Sequence, residues 1–161
     1  MLGFRFVNDA DLTVEKAATL VAAVPSGMDR VGVFVEPDDA RIGAVVAVAP
    51  LDLIQLDGEE PAARVREIQK TFKLPVIKTV RDLAAARAYD GVADWLLIEM
   101  NDSRGALRGI KLRRLWLLGG ALDENNVTAA VNESGAPAVS LRAHDGAAGV
   151  RALLAATGAI H

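Results

Sequence analysis

The chain has 161 residues, 52% hydrophobic and 24% charged, with a net charge of −3, two histidines and no cysteine. That length suits a single domain, 1-161, with a full core, and the missing thiols exclude disulfides, thiolate chemistry and cysteine-ligated metals. Arginine and lysine are spread without a basic patch, the longest uncharged apolar run (Ile42 to Leu51) is far short of a bilayer span, and no export leader is visible. A cytoplasmic protein with no nucleic-acid and no membrane partner is the expectation.

The first run, Leu2 to Val7, has the pattern of a strand and starts directly at Met1. Thr13 is placed to cap a helix from Val14 to Val24, whose Val14, Ala17, Ala18, Val21 and Val24 form one stripe, and Pro25-Ser26-Gly27 ends it. Arg30 to Gly58 then shows a complete βαβ unit. Val31, Val33 and Val35 lie in a short, almost wholly apolar run, as in a strand buried on both faces of a parallel sheet. Pro37 stops that strand, and Asp38 and Asp39 supply caps for a helix with Ile42, Val45, Val46 and Ala49 at helical spacing. Pro50 closes the helix before a second strand, Leu51 to Leu56.

Beyond it, Pro61 stands at the first position of an amphipathic helix carrying Val65, Ile68 and Phe72. A strand from Leu74 to Val80, a helix from Arg81 to Tyr89 and a strand from Trp95 to Ile98 follow. The polar turn NDSRGALRG leaves no room for a full helix before the strand Arg114 to Leu118, which runs into Gly119-Gly120. Asp123 is read as the cap of a helix through Val131, Ala138 to Leu141 as a last strand, and Ala147 to Ala156 as a closing helix. Strands that alternate with helices predict a parallel α/β fold, either an open doubly wound sheet or a (β/α) barrel. No GxGxxG or GxxxxGK[ST] follows any strand, which removes the phosphate turns that mark doubly wound nucleotide binders. A TIM-type barrel would instead gather Asn8, Glu36, Asp57, Arg81, Glu99, Gly119, Gly120 and Arg142 at the C-terminal ends of its strands.

The succession LGFRFV, RVGVFVE, LDLIQLDGEEP, LPVIKTV, ADWLLIEM, LLGGALDENNV and APAVSL resembles, in order and over nearly the whole chain, phosphoribosylanthranilate isomerase of tryptophan biosynthesis. GFxF, VGVFV, the turn from Gln55 to Glu59, VIK at Val76 to Lys78, and the run Gly119, Gly120, Leu122, Asn126 and Val127 carry the resemblance. It implies a (β/α) barrel, shortened here to about seven strands because the first βα unit is absent. It also implies an Amadori rearrangement of N-(5'-phosphoribosyl)anthranilate that needs neither cofactor nor metal. Under it, Glu99 stands where the family has its general acid, an aspartate. Gly119 and Gly120 form half of a phosphate cup, and Ser140 and Arg142 occupy the place of the other half. Asp57 stands in the place of the histidine of the family's QLHG turn and is a lesser catalytic candidate, more often a plain turn residue.

The departures from the family pattern concern the rest of the chemistry. The family's base is a first-strand cysteine, and the sequence has none. The loop whose arginine is expected to hold the anthranilate carboxylate is reduced to Asn8-Asp9-Ala10-Asp11. An Amadori isomerisation needs an acid and a base on opposite sides of the sugar, so the expectation is activity that is lost, weak or turned toward another sugar phosphate. The alternative is a non-catalytic relative that binds a phosphorylated ligand or another protein. Phosphate binding through backbone amides at a helix N-terminus is expected to outlast catalysis. Arg5 and Lys78 put charge into apolar strands, where each needs a partner such as Glu99 or a ligand. The first and last strands would lack their shared neighbour, which predicts a homo-oligomer. His144 and His161 are read as surface residues without a metal.

Overall fold

The structure is a computed structural model that describes residues 1–6, 14–24, 26–100, 104–123 and 125–141. Strands and helices alternate: β1 (Leu2–Arg5), α1 (Val14–Ala22), β2 (Arg30–Phe34), α2 (Asp39–Val48), β3 (Leu53–Leu56), α3 (Ala62–Phe72), β4 (Val76–Val80), α4 (Leu83–Tyr89), β5 (Trp95–Glu99), a 3₁₀ turn (Arg104–Leu107), β6 (Trp116–Gly119) and α5 (Val127–Ser134). The sheet order is β1-β2-β3-β4-β5-β6, identical to the chain order. A doubly wound sheet reverses its order at a switch point; this one has no reversal, as the barrel reading requires.

The chain divides into two compact units, Met1–Thr79 with Gly91–Trp95, and Val80–Asp90 with Leu96–His161. In the first, β1 pairs parallel to β2 with Leu2 opposite Arg30, β2 to β3 with Val31 opposite Leu53, and β3 to β4 with Ile54 opposite Val76. Its core is filled by Phe34, Ile42, Val45, Ile54, Leu56, Val65 and Ile68, and the Phe6 and Phe34 rings stack at 5.4 Å. Apolar side chains on both faces of β2 and β3 explain why these strands read as continuous hydrophobic runs. Asp38 caps α2 by accepting from the Arg41 amide, and Asp94 joins α3 to β4 by accepting from Gln69 Nε2 and the Val76 amide, each at 2.9 Å. Asp52 accepts from the Arg30 guanidinium and amide, and these bonds hold its carboxyl below the ordinary carboxylate value of 3.8. A lowered value favours the ionised form in the folded chain. The contribution is therefore complete above pH 3.8 and is lost as pH falls through the lower folded-state value.

In the second unit, β5 pairs parallel to β6 with Leu96 opposite Trp116 and Glu99 opposite Gly119. Leu96, Ile98, Leu107, Leu118, Val127 and Ala130 are buried there. Asp90 accepts from the amides of Arg113 and Arg114 and so fixes the approach to β6.

Several boundaries differ from the sequence reading. The expected seventh strand is a single bridge between Leu118 and Val139, supported by the Leu118 amide donating to Ala138 and the Ser140 amide to Leu118. Two hydrogen bonds are too few for a strand, so the described residues form six strands and one bridge. Asp123 does not cap α5 directly; its carboxylate accepts from the amides of Asn125 and Asn126, making a turn that delays the helix to Val127. Pro61 is the cap residue of α3 rather than its first helical residue. Thr13, Asn8, Arg142, both histidines and the expected helix Ala147 to Ala156 lie outside the described residues. Among the described residues, no helix is long and apolar enough to cross a membrane.

Candidate functional site

Both units place chemistry at the C-terminal ends of their strands. In the first unit, β1 ends at Arg5, whose guanidinium meets Asp57 just past β3 at 2.8 Å. Asp57 is buried, and its own amide donates to Phe34, so this residue locks the end of β3 to β2. The role matches the turn reading of Asp57 and gives Arg5 its partner.

Lys78 on β4 is 2% exposed and Glu60 3%. Lys78 Nζ lies 3.0 Å from Glu60 Oε2 and 2.5 Å from the Gly58 carbonyl, while Glu60 Oε1 accepts from the amides of Glu36 and Gly58. Two buried charges thus neutralise each other and satisfy the backbone of two strand-end turns, which is the condition for tolerating them. Gly58 has no alternative residue type here. A Cβ on it would fall 2.7 Å from Glu36 Cγ and 2.8 Å from Glu60 Oε1. Glu36 itself is left-handed at φ 45, a conformation that costs a non-glycine residue free energy and that its amide bond to Glu60 helps to hold. Sequence reading missed Glu60. It stopped the motif at Glu59, which is exposed, although the apolar neighbours of Lys78 already demanded a buried anion.

In the second unit, Glu99 closes β5 with its side chain 14% exposed, and Arg81, the residue after β4, stands 3.8 Å from it with 49% exposure. Glu99 lies opposite Gly119, where a Cβ would come 3.2 Å from Glu99 Cγ and 2.8 Å from Leu97 Cδ1. Gly119 is therefore bare because the carboxylate arm and Leu97 fill its space. Gly120 follows at φ 105, the conformation only glycine adopts freely, and its carbonyl accepts from the Leu122 amide. That turn leads through Asn126, which donates from its side chain to Ala121, into the N-terminus of α5. Ser140 is half-buried beside β6, joined to Leu118 through its amide. Glu99, Gly119, Gly120 and Ser140 are thus brought together. Among the described residues, no group of three or more His, Cys, Asp or Glu could hold a metal ion.

Parallel strands alternating with helices in unreversed order, with charged residues and bare glycines at their C-terminal ends, define a protein of the TIM-type (β/α) barrel class. Solved structures agree. One phosphoribosyl anthranilate isomerase, in complex with reduced 1-(o-carboxyphenylamino)-1-deoxyribulose 5-phosphate, matches with a TM-score of 0.80 at 24% identity over 98% of this chain and 87% of its own. The structure of TrpF from Jonesia denitrificans matches with a TM-score of 0.81 at 21% identity, covering 97% of this chain and 84% of its own. The family model for N-(5'phosphoribosyl)anthranilate isomerase matches residues 2–143. The isomerase of Paracoccus denitrificans is 39% identical over 87% of this chain and 75% of its own length, and that of Paramagnetospirillum magneticum 38% identical over 81% and 70%. The chain belongs to the N-(5'-phosphoribosyl)anthranilate isomerase family.

Proposed function

We propose that the second unit holds the phosphorylated aminodeoxyribulose of the family's reaction, with the sugar phosphate on the Gly119-Gly120 turn and the reacting carbons beside Glu99. The observation that carries this reading is the register of Glu99 against Gly119, which sets a carboxylate next to bare backbone at the start of the turn that leads toward α5. Backbone amides and a helix dipole suit a phosphate, while Ser140 stands close enough in the fold to add a hydroxyl. Glu99 supplies the acid. The 161 residues carry no cysteine, the base that the family resemblance implies, so turnover is slow and ligand binding is the retained property. Calorimetric titration with reduced 1-(o-carboxyphenylamino)-1-deoxyribulose 5-phosphate is expected to show one site per chain, displaced by inorganic phosphate. A flat titration would remove the reading.

The same reading extends to assembly as a cytoplasmic homodimer. Among the described residues β1 pairs with β2 alone, and Met1, Leu2 and Met28 expose apolar side chains in the same unit. An unpaired apolar strand edge favours pairing with a second copy. A solved structure of monomers generated from the Thermotoga maritima isomerase describes that parent isomerase as dimeric. Light scattering at micromolar concentration is expected to report about twice 17.0 kDa, and a clean monomer would refute the dimer.

A further inference from the structure

We infer that the segment leading into β6, from Arg108 to Leu115, is an interaction surface for an acidic segment of another protein. The inference goes beyond the function proposed above and does not depend on it.

Basic residues are spread evenly through most of the chain, with one exception. Arg104, Arg108, Lys111, Arg113 and Arg114 follow one another closely, and no Asp or Glu occurs from Ser103 to Leu122. Arg108, Lys111, Arg113 and Arg114 are exposed. Asp90, at the end of α4, accepts from the Arg113 amide at 2.9 Å and the Arg114 amide at 3.1 Å, which brings the last turn of α4, with the exposed Arg87, to the same place. Glu133 of α5 accepts from the Gly105 amide at 3.1 Å, and Arg108 donates to the carbonyls of Asn132 and Glu133. Asp90 and Glu133 thus use their carboxylates on backbone amides, which fixes the course of the segment and leaves its charge in place. Among the described residues no hydrogen bond or ion pair holds the side chains of Arg87, Lys111, Arg113 or Arg114. Like charges gathered this way repel one another, so stability does not explain them.

The position suits a partner. The Leu96 amide donates to the Leu115 carbonyl at 3.1 Å, which sets the surface at the N-terminal end of β6, while Glu99 and Gly119 close the other ends of β5 and β6. A strand of this length separates the two by ~13 Å. An occupant of the surface therefore leaves Glu99 and the glycine turn open. Three features favour an acidic protein over another polyanion. Four of the five cations, Arg87, Arg108, Lys111, Arg113 and Arg114, are arginine, the residue enriched at protein interfaces where lysine is depleted. Leu115 is 48% exposed among them and adds an apolar contact. Neither described aromatic residue of this unit, Tyr89 or Trp116, is exposed for base stacking, and the chain's net charge of −3 repels a phosphate backbone that runs on beyond the surface.

The test uses the whole chain and a fluorescein-labelled peptide of six glutamates and two leucines, followed by anisotropy. The triple variant Lys111→Gln, Arg113→Gln and Arg114→Gln is expected to weaken the peptide at least about tenfold, the effect of losing three exposed charge contacts together. Leu115→Ser is expected to weaken it about threefold through lost apolar area. A peptide with glutamine in place of every glutamate is expected not to bind. Equal binding of the two peptides, or an unchanged affinity in the triple variant, would overturn the inference. So would tighter binding of a single-stranded oligonucleotide, or of phosphatidylglycerol vesicles, than of the acidic peptide. None of these results touches the function proposed above, which is read with a different ligand. Circular dichroism of each variant checks that the fold is unchanged.

Discussion

Lys78→Met is expected to destabilise the chain by about 3–5 kcal/mol, the cost of leaving one member of a buried pair without its counter-charge. That is a large share of a typical total of about 5–15 kcal/mol. Glu60 would keep its two amide bonds, from Glu36 and Gly58, but its Oε2 would lose Lys78 Nζ while 3% exposed, and the Gly58 carbonyl would lose its donor. The double variant Lys78→Met with Glu60→Gln should recover part of the loss, because the amide oxygen still accepts from the two backbone groups and no charge is left buried. Urea unfolding followed by circular dichroism measures both. A loss below about 1 kcal/mol for Lys78→Met alone would show that water or a neighbouring group already compensates Glu60, and the buried-pair account would fail.

On the chemical side, the 161-residue chain is expected to isomerise N-(5'-phosphoribosyl)anthranilate at least ~10²-fold more slowly than the Paracoccus denitrificans relative. One positioned proton-transfer group contributes roughly 10²- to 10⁴-fold, and the cysteine that would supply it is absent from these residues. Glu99→Gln should lower what remains by a further ~10²-fold, since the amide cannot deliver a proton, yet change binding of the reduced ligand only a few-fold. Glu99→Asp, the family's own residue type at this place, should keep the activity. The decay of the anthranilate-type fluorescence of the substrate follows the reaction. Turnover close to the relative's rate would sink the view that a base is missing, and a Glu99→Gln variant with unchanged rate would remove Glu99 from the chemistry.

The strands were legible because parallel strands covered on both faces are short apolar runs, and Val31 to Phe34, Leu53 to Leu56 and Val76 to Val80 lie where such runs are. Their ends were less so. Phe6 is buried and apolar like a strand residue, but pairing stops at Arg5, and no local pattern marks that point. The late start of α5 depended on Asp123 spending its carboxylate on a turn instead of a helix, a choice invisible in an Asp-Glu-Asn-Asn stretch. Of the site, Glu99 and Gly119 could be placed because both end strands. The partners of Arg5 and Lys78 could not. Asp57 is 52 residues from Arg5 and Glu60 is 18 from Lys78, and only strand register brings such residues together.

The buried cluster also governs when it can form. Its hydrogen bonds reach from Glu36 to Glu60 and from Glu60 to Lys78, separations of 24 and 18 residues that enclose α2 and α3. Two helical crossovers must be closed before the ammonium, the carboxylate and the two turns can meet, so the loop entropy is lost first and the contacts follow. The cluster is therefore expected on the downhill side of the folding barrier, with φ-values near zero for substitutions in it. Interactions made after the barrier act on escape from the native state: strengthening them lengthens the lifetime of the folded chain without speeding its formation.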